Sequence, residues 1–157
     1  MYKLHNYISA CLQQAGRINL KQRTLAILKP DCLEKKVHGK VIQHIIDAGF
    51  EIKGMRLIKL TTVSAQAFYA VHKERPFYND LVTYMTSGPV IPLCLEKDNA
   101  VADFRKTIGA TNPANAEDGT IRKLYAESIE KNIVHGSDSP ENAANEIAHF
   151  FNNDDLV

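Results

Sequence analysis

The chain has 157 residues, of which 45% are hydrophobic and 24% charged, which is enough for one domain with a buried core. Its formal net charge of +1 excludes the broad basic surface of a protein that grips long nucleic acid. The cysteines, Cys11, Cys32 and Cys94, lack paired spacing, so neither a disulfide framework nor a zinc site is indicated, and a reducing cytoplasm fits best.

Residues 1–22 are predicted to be an N-terminal extension to a domain over residues 23–157. Leu4, Ile8, Cys11 and Leu12 have weak helical spacing. Interleaved polar residues make the segment a poor signal peptide, and no run of the chain approaches the ~18 apolar residues of a membrane span. Packing on the domain, packing on a partner subunit and a frayed tail remain the alternatives.

Apolar periodicity and turn residues predict strands and helices in alternation. They predict strands at 24–28, 51–60, 90–95 and 133–134, a first helix from 37 to 49, a helical hairpin at 61–75 and 77–86, helices at 99–108 and 120–126, and a last helix from 139. This order fits an α+β fold, a four-stranded antiparallel sheet of the ferredoxin-like βαββαβ type with helices covering one face.

Three local features refine this fold. Lys29 should lie at the end of the first strand, because Pro30 and Asp31 mark a turn. Gly54 indicates a bulge or a close approach of another group. Pro92 argues against ladder hydrogen bonds on both sides of its strand.

The segment from Asn132 to Pro140 reads as strand, tight turn and helix. Ser139 is a favourable N-cap and Pro140 a favourable first helical residue. His135 therefore lies beside a helix N-terminus, which suits anions such as phosphate, and Gly136 permits a close approach of ligand or backbone.

No glycine-rich phosphate-binding loop of the Walker or dinucleotide type follows any predicted strand. Side chains would therefore have to supply the contacts to a bound nucleotide. The sequence offers Lys29 at a strand end, Arg105 late in a helix, Thr111 just beyond it and Arg122 after the long loop at 110–119.

Several motifs, taken together, resemble the nucleoside diphosphate kinase family over residues 23–151. The segment Asn-Ile-Val-His-Gly-Ser-Asp-Ser at 132–139 resembles the family's active-site signature. The other motifs are Lys-Pro-Asp at 29–31, Glu-Arg-Pro-Phe at 74–77, Ser-Gly-Pro at 87–89, Gly-Ala-Thr-Asn-Pro-Ala at 109–114 and Gly-Thr-Ile-Arg at 119–122.

The resemblance implies a role for each matching residue. His135 would be transiently phosphorylated, and Glu146 would orient its imidazole. The remaining roles are phosphate contacts from Lys29, Arg105, Thr111 and Arg122, a sugar contact from Asn132, stacking of the base on Phe77, and support of the lysine region by Tyr69.

The implied activity is ping-pong transfer of the γ-phosphate from a nucleoside triphosphate, typically ATP, to a nucleoside diphosphate. Mg²⁺ would be carried on the nucleotide's phosphates, with no metal ligands from the protein. Stacking on Phe77 makes little use of base edges and predicts broad base tolerance. The resemblance also implies a tetramer or a hexamer.

The sequence favours this activity over three other classes of protein. An RNA-recognition module has the same strand order but needs strand aromatics, which are scarce here. A non-catalytic interaction subunit would not need His135 with its matching cations. A hydrolase using His135, Ser137 and Asp138 is disfavoured, because residues so close along the chain do not readily form a nucleophile, base and orienting group.

Overall fold

The computed structural model describes residues 21–157, so the predicted helical spacing at Leu4 to Leu12 lies outside the described residues. The strands are β1 (Gln22–Leu28), β2 (Glu51–Met55), β3 (Ile58–Lys59), β4 (Pro89–Lys97) and β5 (Val134–Gly136). The helices are α1 (Pro30–Glu34), α2 (His38–Asp47), α3 (Thr62–Phe68), α4 (Tyr78–Thr86), α5 (Ala100–Ile108), α6 (Ile121–Tyr125) and α7 (Pro140–Phe150).

The strands form one antiparallel sheet in the order β2-β4-β1-β5, and the short β3 also pairs with β4. Strands β2 and β3 together occupy the predicted second strand. The observed order is that of the predicted ferredoxin-like fold, which is confirmed. No helix within residues 21–157 has the length and apolar character needed to cross a membrane.

Gly54 and Pro92 explain why the second strand is divided. The pairing of β2 with β4 shifts register between Ile52 and Gly54, and a Cβ on Gly54 would lie 2.8 Å from Leu156 Cδ2. Gly54 is therefore both a bulge and a close approach. Pro92 pairs with Ile27 of β1, and its other edge faces the gap between β2 and β3. The missing N–H of Pro92 thus leaves no ladder hydrogen bond broken.

Helices cover both faces of the sheet rather than the one face expected. On β1, Ala26 and Leu28 face a core with α2 and α5, while Leu25 and Ile27 face a core with α3, α4 and α7. The period of two in a strand sends alternate side chains to opposite faces, so the apolar run at residues 25–28 needs helices packed on both faces. The second cover is the hairpin and the last helix.

The remaining differences from the predicted elements are local. The turn after Lys29 continues directly into α1, because Pro30 suits the first helical position. The first helix of the hairpin ends at Phe68 and is followed by a 3₁₀ turn at Ala70–His72. The last strand is Val134–Gly136, so it contains His135 and excludes Ile133.

Candidate active site

One cavity of about 580 Å³ opens between the last strand, the hairpin and the last helix. It collects every site residue predicted from the sequence except Phe77. Those on its wall are Lys29, Tyr69, Arg105, Thr111, Arg122, Asn132, His135 and Glu146.

The position of His135 follows from the pairing of β5 with β1. His135 lies opposite Ile27, so its side chain is on the face of the sheet covered by α3 and α7. Its Nε2 lies 3.0 Å from Glu146 Oε2, and the edge of its ring meets Phe68 with centroids 5.5 Å apart. The side chain is 23% exposed, so it is packed but open to the cavity.

Glu146 is itself fixed by Ser137. The Ser137 hydroxyl donates to Glu146 Oε2 at 2.6 Å and accepts from the backbone N–H of Leu25 at 3.1 Å. Because a carboxylate oxygen accepts hydrogen bonds, His135 Nε2 donates and the lone pair of Nδ1 remains available as a nucleophile. Ser137 was missed as a site residue, although the alternation of side chains along a strand places it on the same side as His135.

The last helix begins as predicted. Ser139 is the N-cap, and its hydroxyl accepts from the backbone N–H of Asn142 at 3.1 Å, while Pro140 is the first helical residue. Gly136 serves a close packing contact within the protein, since a Cβ there would lie 2.9 Å from the Phe104 ring. Strand β5 therefore packs closely against α5 at Gly136.

Lys29 is a buried cation at the inner end of the cavity. It follows β1, as predicted, and only 8% of it is exposed. Its Nζ donates to Asn132 Oδ1 at 2.6 Å. Burial, reinforced by the charge of Arg122 and partly offset by Asp31, lowers the pKa of Lys29 to about 8.

Arg122 is held by backbone carbonyls rather than by a carboxylate. Its terminal nitrogens donate to Gly109 O at 3.0 Å and to Val134 O at 2.8 Å. Burial and the nearby charge of Arg105 lower the pKa of Arg122 to about 10. Since both bonds are to neutral groups, its positive charge is not neutralised by them and can act on an anion in the cavity.

The mouth of the cavity is formed by the hairpin. The hydroxyl of Tyr69 is buried without a hydrogen-bond partner, and burial raises the pKa of that hydroxyl. The ring of His72 stacks on Tyr69 at 6.4 Å, and Phe77 lies beyond His72 at 5.7 Å. Phe77 is 51% exposed and stands beside the cavity rather than on its wall. His72 was missed, because the sequence offered no signal that its ring would face inward.

The charge of the cavity wall suits an anion. Lys29, Arg105 and Arg122 are its cations, while its carboxylates are Glu146, which is bound to His135, and the exposed Asp138. Over residues 21–157 no three His, Cys, Asp or Glu side chains lie together in a way that could hold a metal ion. The arrangement therefore supports an imidazole nucleophile beside a site for phosphate groups.

Comparison with known proteins agrees with this chemistry. The family model described as nucleoside diphosphate kinase matches residues 22–156. The chain belongs to the nucleoside diphosphate kinase family. Membership confirms the resemblance predicted from the motifs and the predicted class of enzyme, a phosphotransferase.

The matches to two relatives cover nearly the whole length of each relative. A nucleoside diphosphate kinase of Chlorobaculum tepidum is 60% identical over 136 residues, which are 87% of this chain and 97% of the relative. One from Geobacter sp. is 59% identical over 136 residues, with 99% of the relative covered.

Solved structures of the family share the fold. The nucleoside diphosphate kinase of Aquifex aeolicus is 40% identical with a TM-score of 0.86, and the match covers 87% of this chain and 99% of that one. A halophilic nucleoside diphosphate kinase from Halobacterium salinarum, in complex with CDP, is 33% identical with a TM-score of 0.84, covering 87% and 91%.

Proposed function

We propose that this chain moves the γ-phosphoryl group of a nucleoside triphosphate to a nucleoside diphosphate in two steps through a phosphohistidine on His135. The observation that carries the proposal is the pairing of His135 Nε2 with Glu146 at 3.0 Å inside a cavity lined by cations. That pairing makes Nδ1 the nucleophile, and the cations are placed for the group it attacks.

In the first step, Nδ1 of neutral His135 attacks the γ-phosphorus of the donor. The N–P bond forms as the bond from phosphorus to the β,γ-bridging oxygen breaks, and the diphosphate leaves with that electron pair. In the second step, a terminal oxygen of a second diphosphate attacks the same phosphorus, the N–P bond breaks, and neutral His135 is restored. Glu146 stabilises the charge that develops on the ring in between.

Lys29, Arg105, Arg122 and Thr111 are the proposed contacts to the transferred group and its neighbours. Negative charge spreads over the equatorial oxygens in the transition state, so fixed cations lower its energy relative to the ground state. Lys29 and Arg122 fit this role best, because each is buried and oriented by a hydrogen bond to a neutral oxygen.

The rest of the nucleotide is assigned to the outer part of the cavity. Asn132 is the proposed sugar contact, and its amide is already oriented by Lys29 and by Thr111 O at 3.3 Å. Phe77 is the proposed platform for the base, and its exposure outside the wall leaves a face free for stacking. Tyr69 packs behind this region as a support.

Mg²⁺ is proposed to enter with the nucleotide. The cations of the cavity wall fit the phosphate oxygens of a nucleotide, and those oxygens would hold the ion. Asp138 is the carboxylate of the wall that is not bonded to His135. When bound, the ion neutralises charge on the phosphates and orients them. Every other contact proposed here is made by the protein's own side chains.

The wider setting of the domain is also proposed. We assign residues 1–22 to an extension and residues 23–157 to the catalytic domain, an assignment that the family match at 22–156 supports. We also propose a homo-tetramer or homo-hexamer, which the resemblance implies, and a cytoplasmic location, which the spacing of the cysteines favours. Light scattering on the full chain and on a chain starting at Lys21 tests the assembly and the part the extension has in it.

Intact-protein mass tests the phosphoryl relay. The protein is incubated briefly with ATP and Mg²⁺, measured, then measured again after GDP is added. We expect the gain of one phosphoryl group that GDP removes, its absence in His135→Ala, and its retention in His44→Ala, a histidine of α2 outside the cavity. Wild-type protein that gains no mass would refute the relay.

A further inference from the structure

The backbone just before the nucleophile is strained. Ile133 has a φ of 72°, in the left-handed region that β-branched residues rarely adopt, and its side chain is fully buried. A backbone of this kind persists only where its surroundings hold it. The strain lies two residues from His135, so what holds it also affects the position of the imidazole.

The strained residue is the centre of a three-residue turn. The N–H of Val134 donates to Asn132 O at 2.8 Å, which with the positive φ of Ile133 makes the rare form of γ-turn. Side chains three positions apart along an extended strand point to opposite faces. Asn132 and His135 are three apart, yet both line the cavity. The turn is what brings the two side chains to one side.

Both backbone groups of Ile133 are held by the turn that follows β1. Its N–H donates to Asp31 Oδ2 at 3.0 Å, and its carbonyl accepts from the N–H of Lys29 at 2.9 Å. Asp31 is only 1% exposed, and the Tyr84 hydroxyl lies beside its carboxylate, so contact with water does not substitute for the bond from Ile133. Burying a carboxylate is unfavourable unless its oxygens are hydrogen-bonded, so the bond from Ile133 matters both to Asp31 and to the turn.

We propose that Asp31 is a positioning residue for phosphoryl transfer: its carboxylate holds the strained turn at Ile133 and thereby sets His135 and Asn132 against the same phosphate site. The inference rests on the proposed function, since it concerns the histidine relay. Asp31 does not touch the reacting atoms. It acts on the chemical step through the backbone.

Two other roles for Asp31 give different expectations. A carboxylate in the first turn of a short helix could serve α1 alone, and then its loss would change stability but not the rate of His135 phosphorylation. A carboxylate near Lys29 could act through that lysine's charge, and then no change at residue 133 would compensate for its loss. If Asp31 instead holds the turn, a change at residue 133 that relieves the strain should compensate for the loss of Asp31.

The test measures the single-turnover rate of phosphoenzyme formation from ATP and, separately, ADP affinity. The variants are Asp31→Ala, Asp31→Asn, and Asp31→Ala combined with Ile133→Gly or Ile133→Ala. Glycine adopts a positive φ without strain, whereas alanine removes nearly the same volume but keeps the Cβ that opposes it. Asp80→Ala, an exposed first-turn aspartate of α4 outside the cavity, is the matched control.

We expect Asp31→Ala to form phosphoenzyme about tenfold to a hundredfold more slowly while ADP affinity is retained, because misplacing a nucleophile affects the chemical step more than binding. Ile133→Gly should restore much of the rate in that background and Ile133→Ala should not. Asp31→Asn should react within about threefold of wild type, since the amide oxygen still accepts from Ile133.

A wild-type rate in Asp31→Ala would overturn the positioning role, as would equal rates for the glycine and alanine double variants. If Asp31→Ala does not fold, the isosteric Asp31→Asn decides, and a fall of about tenfold or more with retained ADP affinity would overturn the proposal. Wild-type protein that forms no phosphoenzyme would instead refute the proposed function, so the two failures are distinguishable.

Discussion

The inner end of the cavity and its mouth are held in different ways. At the inner end, Lys29 and Arg122 are buried and tied to Asn132 and to backbone carbonyls of adjacent elements. At the mouth, His72 and Phe77 sit on a hairpin, meet through ring contacts, and Phe77 is half exposed. This contrast agrees with the proposed function, in which the inner end positions the reacting atoms and the mouth stacks on a base without reading its edges.

Removing the inner cation should have the largest effect. We expect Lys29→Met to lower kcat/KM about a hundredfold to a thousandfold, the range for one preorganised contact to developing charge. The same variant should raise the free energy of unfolding at pH 7, because folding no longer desolvates a charge. A coupled kinase assay and denaturant unfolding measure the two.

Lys40→Met on the exposed side of α2 is the control for that variant, and it should change neither quantity. An activity loss of less than about tenfold in Lys29→Met would contradict the view that the inner end of the cavity matters more to the reaction than its mouth.

Weakening the hydrogen bond that orients the His135 imidazole should have the next largest effect. Glu146→Gln weakens hydrogen bonds from His135 and Ser137, and loss of a charge-assisted bond of about 1.5–3 kcal/mol corresponds to roughly a tenfold to hundredfold slower phosphorylation. Quench-flow with ATP measures this step. An equal loss in Glu141→Gln, an exposed first-turn glutamate of the same helix, would show that the pairing with His135 is not the cause.

Raising the pH should weaken binding at the inner end. The pKa of Lys29 is about 8 in the folded protein against 10.5 ordinarily, so the free site loses its charge as pH rises through 8. We expect ADP affinity to fall about tenfold from pH 7 to pH 9, because only about a tenth of the sites then carry the proton.

Titration calorimetry measures this dependence, with Lys29→Arg as the reference that stays charged and should show a flatter profile. For stability the sign is opposite. The unfolded chain keeps the Lys29 proton up to about pH 10.5, so the folded state is penalised fully below pH 8 and less as pH rises between those values. Affinity that is unchanged between pH 7 and pH 9 would argue against Lys29 as a phosphate contact.

Changing the mouth should have the smallest effect. We expect Phe77→Ala to raise KM about fivefold, at the low end for loss of one stacking partner, with kcat retained and with similar changes for ATP, GTP and CTP. Steady-state kinetics with each nucleotide check this, and Val63→Ala, an exposed residue of α3 outside the cavity, is the control. A large fall in kcat would mean that Phe77 also positions the phosphates.

The sequence predicted the inner end better than the mouth. Local sequence rules predicted Lys29 after a strand and Ser139 at a helix start, and the family motifs selected residues that are far apart in the chain and line one cavity. The helices on the second face and the ring of His72 depend on packing between distant elements, which local periodicity does not report.

The strained turn was the hardest feature to foresee. The sequence predicts that Ile133 belongs to a short strand, since a β-branched residue next to Val134 has no tendency toward a positive φ. Its conformation comes from Asp31 and Lys29, about a hundred positions earlier in the chain. A tertiary contact has overridden a local preference there, beside the proposed nucleophile.

The proposed relay is tested most sharply by determining which nitrogen of His135 carries the phosphoryl group. Nuclear magnetic resonance on the ¹⁵N-labelled phosphoenzyme, through phosphorus–nitrogen coupling, identifies the bonded atom. Because Glu146 holds Nε2 at 3.0 Å, we expect phosphorylation at Nδ1. A phosphoryl group on Nε2, or on any residue other than His135, would contradict it.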